Sequence, residues 1–182
     1  MPNYRRAKTE GGTFFFTVVT YRRQETLTLP ESRLTLRNII IDTKRDHPFK
    51  ILAWVLLPDH MHCIWTLPEG DSDFSKRWGL IKAKFSKHIG EQLHRDGWVD
   101  ESKTNHRERT IWQRRFWEHQ IRNEKDFERH MDYIHYNPVK HGNAKRVCDW
   151  PYSPFHRFVR LGVYPMDWAD STSNTDNEEY GE

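Results

Sequence analysis

The sequence predicts an α+β protein of the ferredoxin-like, split βαβ type: a four-stranded antiparallel sheet with helices on one face. Three observations carry this expectation. Apolar strand-like runs alternate with stripes at helical spacing in the order βαββαβα. At 182 residues the chain suits one domain with enough length to bury a core. Apolar residues make up only 36%, but 14% of the chain is aromatic, with eight Trp and ten Phe, so large side chains supply the core volume. In this fold the first and third strands are the usual central pair.

Gly11-Gly12 is a turn signal. Thr13 to Tyr21, dense in β-branched and aromatic residues, follows as a central strand. Pro30-Glu31-Ser32 opens a helix in which Leu34, Leu36, Ile40 and Ile41 recur at helical spacing as far as about Arg45, and His47-Pro48 stops it. Phe49 to Leu57 is near-continuously apolar, which suits a strand buried on both faces. Pro58-Asp59 turns the chain into a third strand, His60 to Leu67. Side chains alternate along it. Met61, Cys63 and Trp65 share one face; His60, His62, Ile64 and Thr66 share the other.

Ser72 or Asp73 caps the next helix, where Phe74, Trp78, Ile81, Phe85 and Ile89 form a single apolar stripe. Glu91 to Thr110 is polar, with Trp98 and Val99 its clear apolar anchors, and reads as a flexible excursion into whose first turn the helix can continue. Glu118 to Arg122 is the fourth strand. Asn123 caps the last long helix, Phe127, Met131 and Ile134 mark its buried face, and His141-Gly142-Asn143 ends it. Val147 to Phe158 is aromatic with two prolines and reads as an irregular segment packed on the body. Residues 1–169 are thus expected to form one domain. Residues 170–182 are expected to be an acidic, disordered tail.

The net charge of +3 hides an asymmetry. From Asp167 to Glu182 there are six acidic and no basic side chains, which leaves +9 on residues 1–166. A basic, aromatic-rich body favours a polyanionic partner, nucleic acid first. Lys82, Lys84 and Lys87 lie on a helix with few acids to offset them and are candidates for phosphate contacts. Between Ile111 and Trp117 cations alternate with aromatics, so Trp112, Arg114 and Arg115 are candidates for stacking and phosphate contact. The opposing reading puts the aromatics in the core with the arginines merely flanking them. Two cysteines without a CxxC give neither a disulfide framework nor a zinc knuckle. There is no hydrophobic leader and no apolar run of membrane length, so a cytoplasmic protein is expected.

His60 and His62 carry the chemistry. Two residues apart on a strand, their Cα atoms lie roughly 7 Å apart on one face, close enough for both imidazoles to converge on one metal ion. The last helix offers two more groups. Tyr133 and Asn137 are four apart and share a face on the flank of the buried stripe. Tyr136 lies roughly opposite that stripe, so helical geometry favours Tyr133 without deciding between the two. Asn137 can supply an amide oxygen, yet its place before Pro138 equally suits a helix terminator. Glu118 and His119 are candidates for orienting a ligand imidazole. His130 and His135, near the site in sequence, receive no role.

Gly11 to Val18, Trp54 to Trp65, Ile111 to His119, Asp132 to Gly142 and Asp149 to Arg157 together resemble the REP-associated tyrosine transposases, a branch of the single-tyrosine HUH transposases that act on single-stranded DNA. The likeness spans roughly residues 4–168. It implies that His60 and His62 are metal ligands, with Met61 the bulky residue between them. It further implies Asn137 as third ligand and Tyr133 as nucleophile. Neutral nitrogen and oxygen ligands suit Mg²⁺ or Mn²⁺. The implied activity is cleavage and rejoining of single-stranded REP-type hairpin DNA through a 5′-phosphotyrosine, by a monomer associated with the bacterial nucleoid. Leu93 to Arg109 departs from the family's pattern. Two other readings compete: a hairpin-binding protein without turnover, and a metal-dependent nuclease that uses water.

Overall fold

Apolar side chains at consecutive positions of Phe14–Val19 and Met61–Trp65 leave neither face of a sheet fit for water, and that requirement sets the layering. The structure, a computed structural model, describes residues 9–170, so the acidic segment beyond Asp170 lies outside the described residues. Strands β1 (Thr13–Val19), β2 (Lys50–Leu56), β3 (His60–Thr66) and β4 (Trp117–Gln120) form one sheet in the order β2-β3-β1-β4. Every neighbouring pair is antiparallel. The connections are helices α1 (Pro30–Asp46) and α2 (Phe74–Leu93), then a short α3 (Glu101–Asn105) before β4. Helices α4 (Glu124–Lys140) and α5 (Phe155–Arg160) follow β4. The strand order is the split βαβ one, with β1 and β3 central as expected.

The expectation of helices on one face needs correction. The two crossover helices do share a face, where Phe14, Phe16, Met61, Cys63 and Trp65 pack against Leu36 and Ile39 of α1 and Trp78, Ile81 and Phe85 of α2. Helix α4 covers the opposite face, setting Met131 and Ile134 on Phe15, Val55 and Ile64. Left bare, that second face would expose three large side chains worth about 1.5–3 kcal/mol each. A bulge in β2 between Ile51 and Ala53 adjusts the alternation, so that Ile51 packs on the α1/α2 side while Ala53 and Val55 turn towards α4.

Helix α4 is held down from behind. The Trp150 indole donates to the Leu56 carbonyl at 3.0 Å, and the Tyr164 hydroxyl donates to Asp132 at 2.6 Å. His135, fully buried, is boxed by the rings of Phe155, Phe158 and Tyr164 at 5.5, 5.4 and 4.9 Å. The segment expected to be irregular therefore contains a 3₁₀ turn, Val147–Asp149, and α5, and it clamps α4 to the sheet.

The polar stretch after residue 91 is likewise a built lobe rather than a flexible excursion. Helix α2 runs on to Leu93, a 3₁₀ turn spans Asp96–Trp98, and Asp100 caps α3 through the Lys103 backbone N–H. Lys103 is only 4% exposed. Its ammonium sits 4.0 Å over the Tyr21 ring and donates to the carbonyls of Arg109 and Trp112. Polar bonds to one buried lysine leave no hydrophobic period in the sequence. Among the described residues no helix is long and apolar enough to cross a membrane.

Burial pushes the His135 imidazole down to about 4 from an ordinary value of 6.5. The unfolded chain then binds the extra proton between those values, so stability falls as pH drops from 6.5 towards 4. The loss from this group is about 3 kcal/mol. We expect His135→Phe to remove that part of the pH dependence, read as urea midpoints at pH 7 and pH 4.5. An unchanged difference between the two midpoints would show that another group carries it.

Candidate active site

Antiparallel pairing places Thr17 opposite His62 and Val19 opposite His60. Directly opposed residues share a face, so both imidazoles lie on the α4 side of the central strand pair. They are 1% and 0% exposed, with ring centroids 5.0 Å apart. Each is held by its Nδ1. Asp59 takes the His60 Nδ1–H at 2.6 Å, and the Thr17 hydroxyl lies 2.9 Å from His62 Nδ1. A carboxylate only accepts, so in the neutral ring the His60 proton sits on Nδ1 and the lone pair on Nε2. His60 Nε2 is buried with no hydrogen-bond partner among the described residues. A buried lone pair in that state is what a cation requires, and Nε2 of His62 is the second nitrogen on the same wall.

Asp59 is itself fixed. Its carbonyl accepts from the Thr20 backbone and hydroxyl, and its carboxylate from Arg23 at 3.0 Å. Burial works against ionisation of Asp59, but the hydrogen bonds from His60 and Arg23 outweigh it and hold the carboxyl down at about 2. Arg22 and Arg23 both adopt left-handed backbone conformations, with φ of 52° and 51°. Such residues persist where the surroundings over-determine them, and here the Arg23–Asp59 ion pair and the Thr20 bonds do so. His62 is driven well below its ordinary value, first by burial and then by His60 and His141, beside which a proton on His62 would be repelled whenever they carry one of their own. It is a neutral imidazole, the form a metal ligand needs.

Helix α4 supplies the facing wall. The Tyr133 ring lies 5.1 Å from that of His62, edge to face, and the His141 ring 4.8 Å from that of His60. Asn137 falls midway between them along the helix and is fully buried. Tyr133 and His141 touch the two histidines in turn, so they bracket Asn137 over the pair. The helix continues through Pro138 to Lys140, so Asn137 does not terminate it. The site thus sets two buried imidazoles beside a tyrosine, with buried Asn137 on the helix between the two ring contacts. Among the described residues Tyr136 makes no ring contact with these histidines. Sequence reasoning missed Asp59, Thr17, Lys140 and His141. The i+4 spacing of His141 from Asn137 was the available signal for the last.

The remaining sequence candidates sort less well. His119 does not orient His60 or His62. It pairs with Asp126 at 2.9 Å and stacks on His130 at 4.6 Å. Donor atoms of His119, Asp126 and His130 come within 4.8 Å of one another. The two imidazole planes, however, differ by only 15°, so their in-plane lone pairs run alongside each other rather than converging. In this arrangement the three groups form a hydrogen-bonded stack whose lone pairs do not point at one ion. Glu118 pairs with Phe16 and therefore faces the α1/α2 side, away from the histidines.

Trp112 is not a stacking platform: it is 5% exposed, in the core against Phe85. The Lys82 ammonium donates to the carbonyls of Gln113 and Arg114, and Arg114 pairs with Glu108 at 2.8 Å. Both build the wall of a groove of about 570 Å³, to which Lys87, Arg107 and Arg109 add further cations. Lys84 does not line it, and Arg115 is exposed beside it. The Gln113 N–H donates to the Val19 carbonyl, which puts this loop at the end of β1 where Val19 meets His60.

Residues 12–137 match the family model described as "Transposase IS200 like". A REP-associated tyrosine transposase of Escherichia coli (strain K12) is 51% identical over 174 residues, 96% of this chain and 94% of that one. A relative from Haemophilus influenzae, 42% identical over 93% of this chain and 94% of its own, carries the same name provisionally. The structure of a REP-associated tyrosine transposase bound to a REP hairpin superposes with a TM-score of 0.80 at 50% identity, covering 100% of this chain and 98% of that one.

The burial of Trp112 has a measurable consequence. We expect Trp112→Ala to cost about 3–5 kcal/mol of stability, read by urea denaturation. A variant of wild-type stability with weakened polyanion binding would restore the stacking role.

Proposed function

The chain belongs to the IS200-like transposase family, in its REP-associated tyrosine branch, and from that premise we propose that it cleaves and rejoins single-stranded DNA folded into REP-type hairpins. The observation that carries the reading is the contact of Tyr133 with a buried, neutral His62 whose partner His60 keeps an unsatisfied Nε2. A solitary tyrosine beside a cation-ready wall suits nucleophilic attack on phosphorus. The Tyr133 hydroxyl gives up its proton to solvent as its oxygen forms a bond to the scissile phosphorus, the bond to the 3′-oxygen breaks, and that oxygen takes up a proton from solvent to become a free 3′-OH. The 5′-phosphotyrosine keeps the ester energy. Attack by another 3′-OH reverses the step without an external energy source.

Asp59 and Thr17 fix the ring orientations of His60 and His62, and α4 sets Tyr133 and Asn137 against them. We assign His60, His62 and Asn137 as ligands of Mg²⁺ or Mn²⁺, of which Mn²⁺ accepts imidazole more readily. The ion, when bound, polarises the scissile phosphate as a Lewis acid. Lys84, Lys87 and Arg115 are assigned to backbone phosphates, with Lys82 and Arg114 shaping the groove wall. A strand leaving that groove passes the end of β1 and reaches His60. The same reading makes residues 1–169 one catalytic domain, acting as a monomer in the cytoplasm at the nucleoid.

The test is covalent capture. Labelled single-stranded hairpin DNA with Mn²⁺ should give a protein–DNA adduct that Tyr133→Phe lowers by about 10³-fold or more, while Tyr136→Phe retains it. An adduct lost in Tyr136→Phe instead would overturn the nucleophile. Cleavage without an adduct would favour hydrolysis by water, and binding without either would favour a hairpin-binding module. We also expect Asp59→Asn to weaken Mn²⁺ affinity about 10–100-fold, measured by calorimetry. Affinity equal to wild type would remove Asp59 from the site.

A further inference from the structure

One cation stands beside the tyrosine. Lys140, in the last turn of α4 and seven residues after Tyr133, places its Nζ 3.4 Å from the Tyr133 hydroxyl and 5.0 Å from the centre of that ring. Two helical turns separate the residues, so the lysine stem lies back along the helix to bring its ammonium over the phenol. At 3.4 Å the contact is too long for a strong hydrogen bond to a neutral hydroxyl. The same position is well suited to an anion attached at that oxygen. A phosphorus ready for attack lies about 3–3.5 Å from the nucleophile. Its nonbridging oxygens then fall within hydrogen-bond range of an ammonium that is itself 3.4 Å from the same atom.

We propose that Lys140 is a catalytic residue that grips a nonbridging oxygen of the scissile phosphate during attack by Tyr133 and holds the phosphotyrosine diester afterwards. The proposal rests on the reading of Tyr133 as nucleophile. Phosphoryl transfer spreads negative charge over the equatorial oxygens, and a donor aimed at that charge acts mainly on the transition state. Lys140 takes no proton and forms no bond to phosphorus in this step. The bond made is Tyr133 oxygen to phosphorus, and the bond broken is phosphorus to the 3′-oxygen. A lysine in the last turn also complements the helix dipole, but a dipole role gives no dependence on the charge of the DNA phosphate.

The experiment compares Lys140→Met and Lys140→Arg with wild type in single-turnover adduct formation on two hairpins. One carries a normal phosphodiester at the scissile position, the other a neutral methylphosphonate. We expect Lys140→Met to slow adduct formation about 100-fold on the phosphodiester, with Lys140→Arg recovering at least about tenfold of that. Hairpin affinity should stay within about threefold, because the lysine is one phosphate contact among several. On the methylphosphonate, wild type and Lys140→Met should differ by less than about threefold, since the charge that Lys140 meets is gone. A Lys140→Met rate within threefold of wild type on the phosphodiester overturns the proposal. So does an equal defect on both hairpins, which would place the lysine's effect on the phenol. If neither protein cleaves the methylphosphonate, the arginine comparison decides: recovery supports the proposal, and equality of the arginine and methionine variants overturns it. Tyr133→Phe run alongside separates the two claims, because an adduct that survives it removes the nucleophile itself.

Discussion

Everything in this site depends on the register between β1 and β3. Thr17 faces His62 and Val19 faces His60 because the two central strands pair without a slip. A shift of one residue would turn both imidazoles to the α1/α2 side and bring Met61 and Cys63 into their place. The register is costly to change, because it also decides where Phe14, Phe15, Phe16 and Trp65 are buried. The aromatic content of the chain thus does two things. It fills two cores, and it fixes two polar rings at the boundary of one of them.

Burial would ordinarily penalise a pair of histidines. Here it keeps His62 neutral, and the Asp59 bond at Nδ1 of His60 directs the lone pair of that neutral ring to Nε2. The cost of holding Asp59 as a half-buried anion is offset by Arg23 and His60 on its two oxygens. The strained Arg22–Arg23 turn is part of that arrangement, since it delivers Arg23 to the carboxylate. Helix α4 completes the site from the other side, and its clamp of Trp150, Tyr164 and α5 keeps Tyr133 and Asn137 at a set height over the strands.

Much of this was legible from residue order. Period-2 alternation located His60 and His62 on one face, and the i, i+4 rule put Tyr133 and Asn137 on one side of a helix. The βαββαβα order gave the sheet with β1 and β3 at its centre. The side of the sheet taken by α4 was not legible, although the near-continuous apolar character of β1 pointed to two covered faces. Trp112 misled because a cation–aromatic alternation looks the same whether the ring stacks on a base or on Phe85. The 91–110 lobe was missed because its anchor, Lys103, is a buried charge, and hydrophobic periodicity does not register one. Asp59 and Lys140 needed three-dimensional placement: one acts through a neighbour's ring, and the other reaches back over two helical turns.

The central claim is that one divalent cation sits on both imidazoles, facing α4. Pulsed electron paramagnetic resonance on Mn²⁺ bound to the intact protein tests it most directly, since nitrogen couplings count the coordinated histidines. One Mn²⁺ per chain coupled to two histidine nitrogens is expected, falling to one coupling in either His60→Ala or His62→Ala. Mn²⁺ that keeps its couplings in both variants, or loses them only when His119 or His130 is replaced, would contradict it.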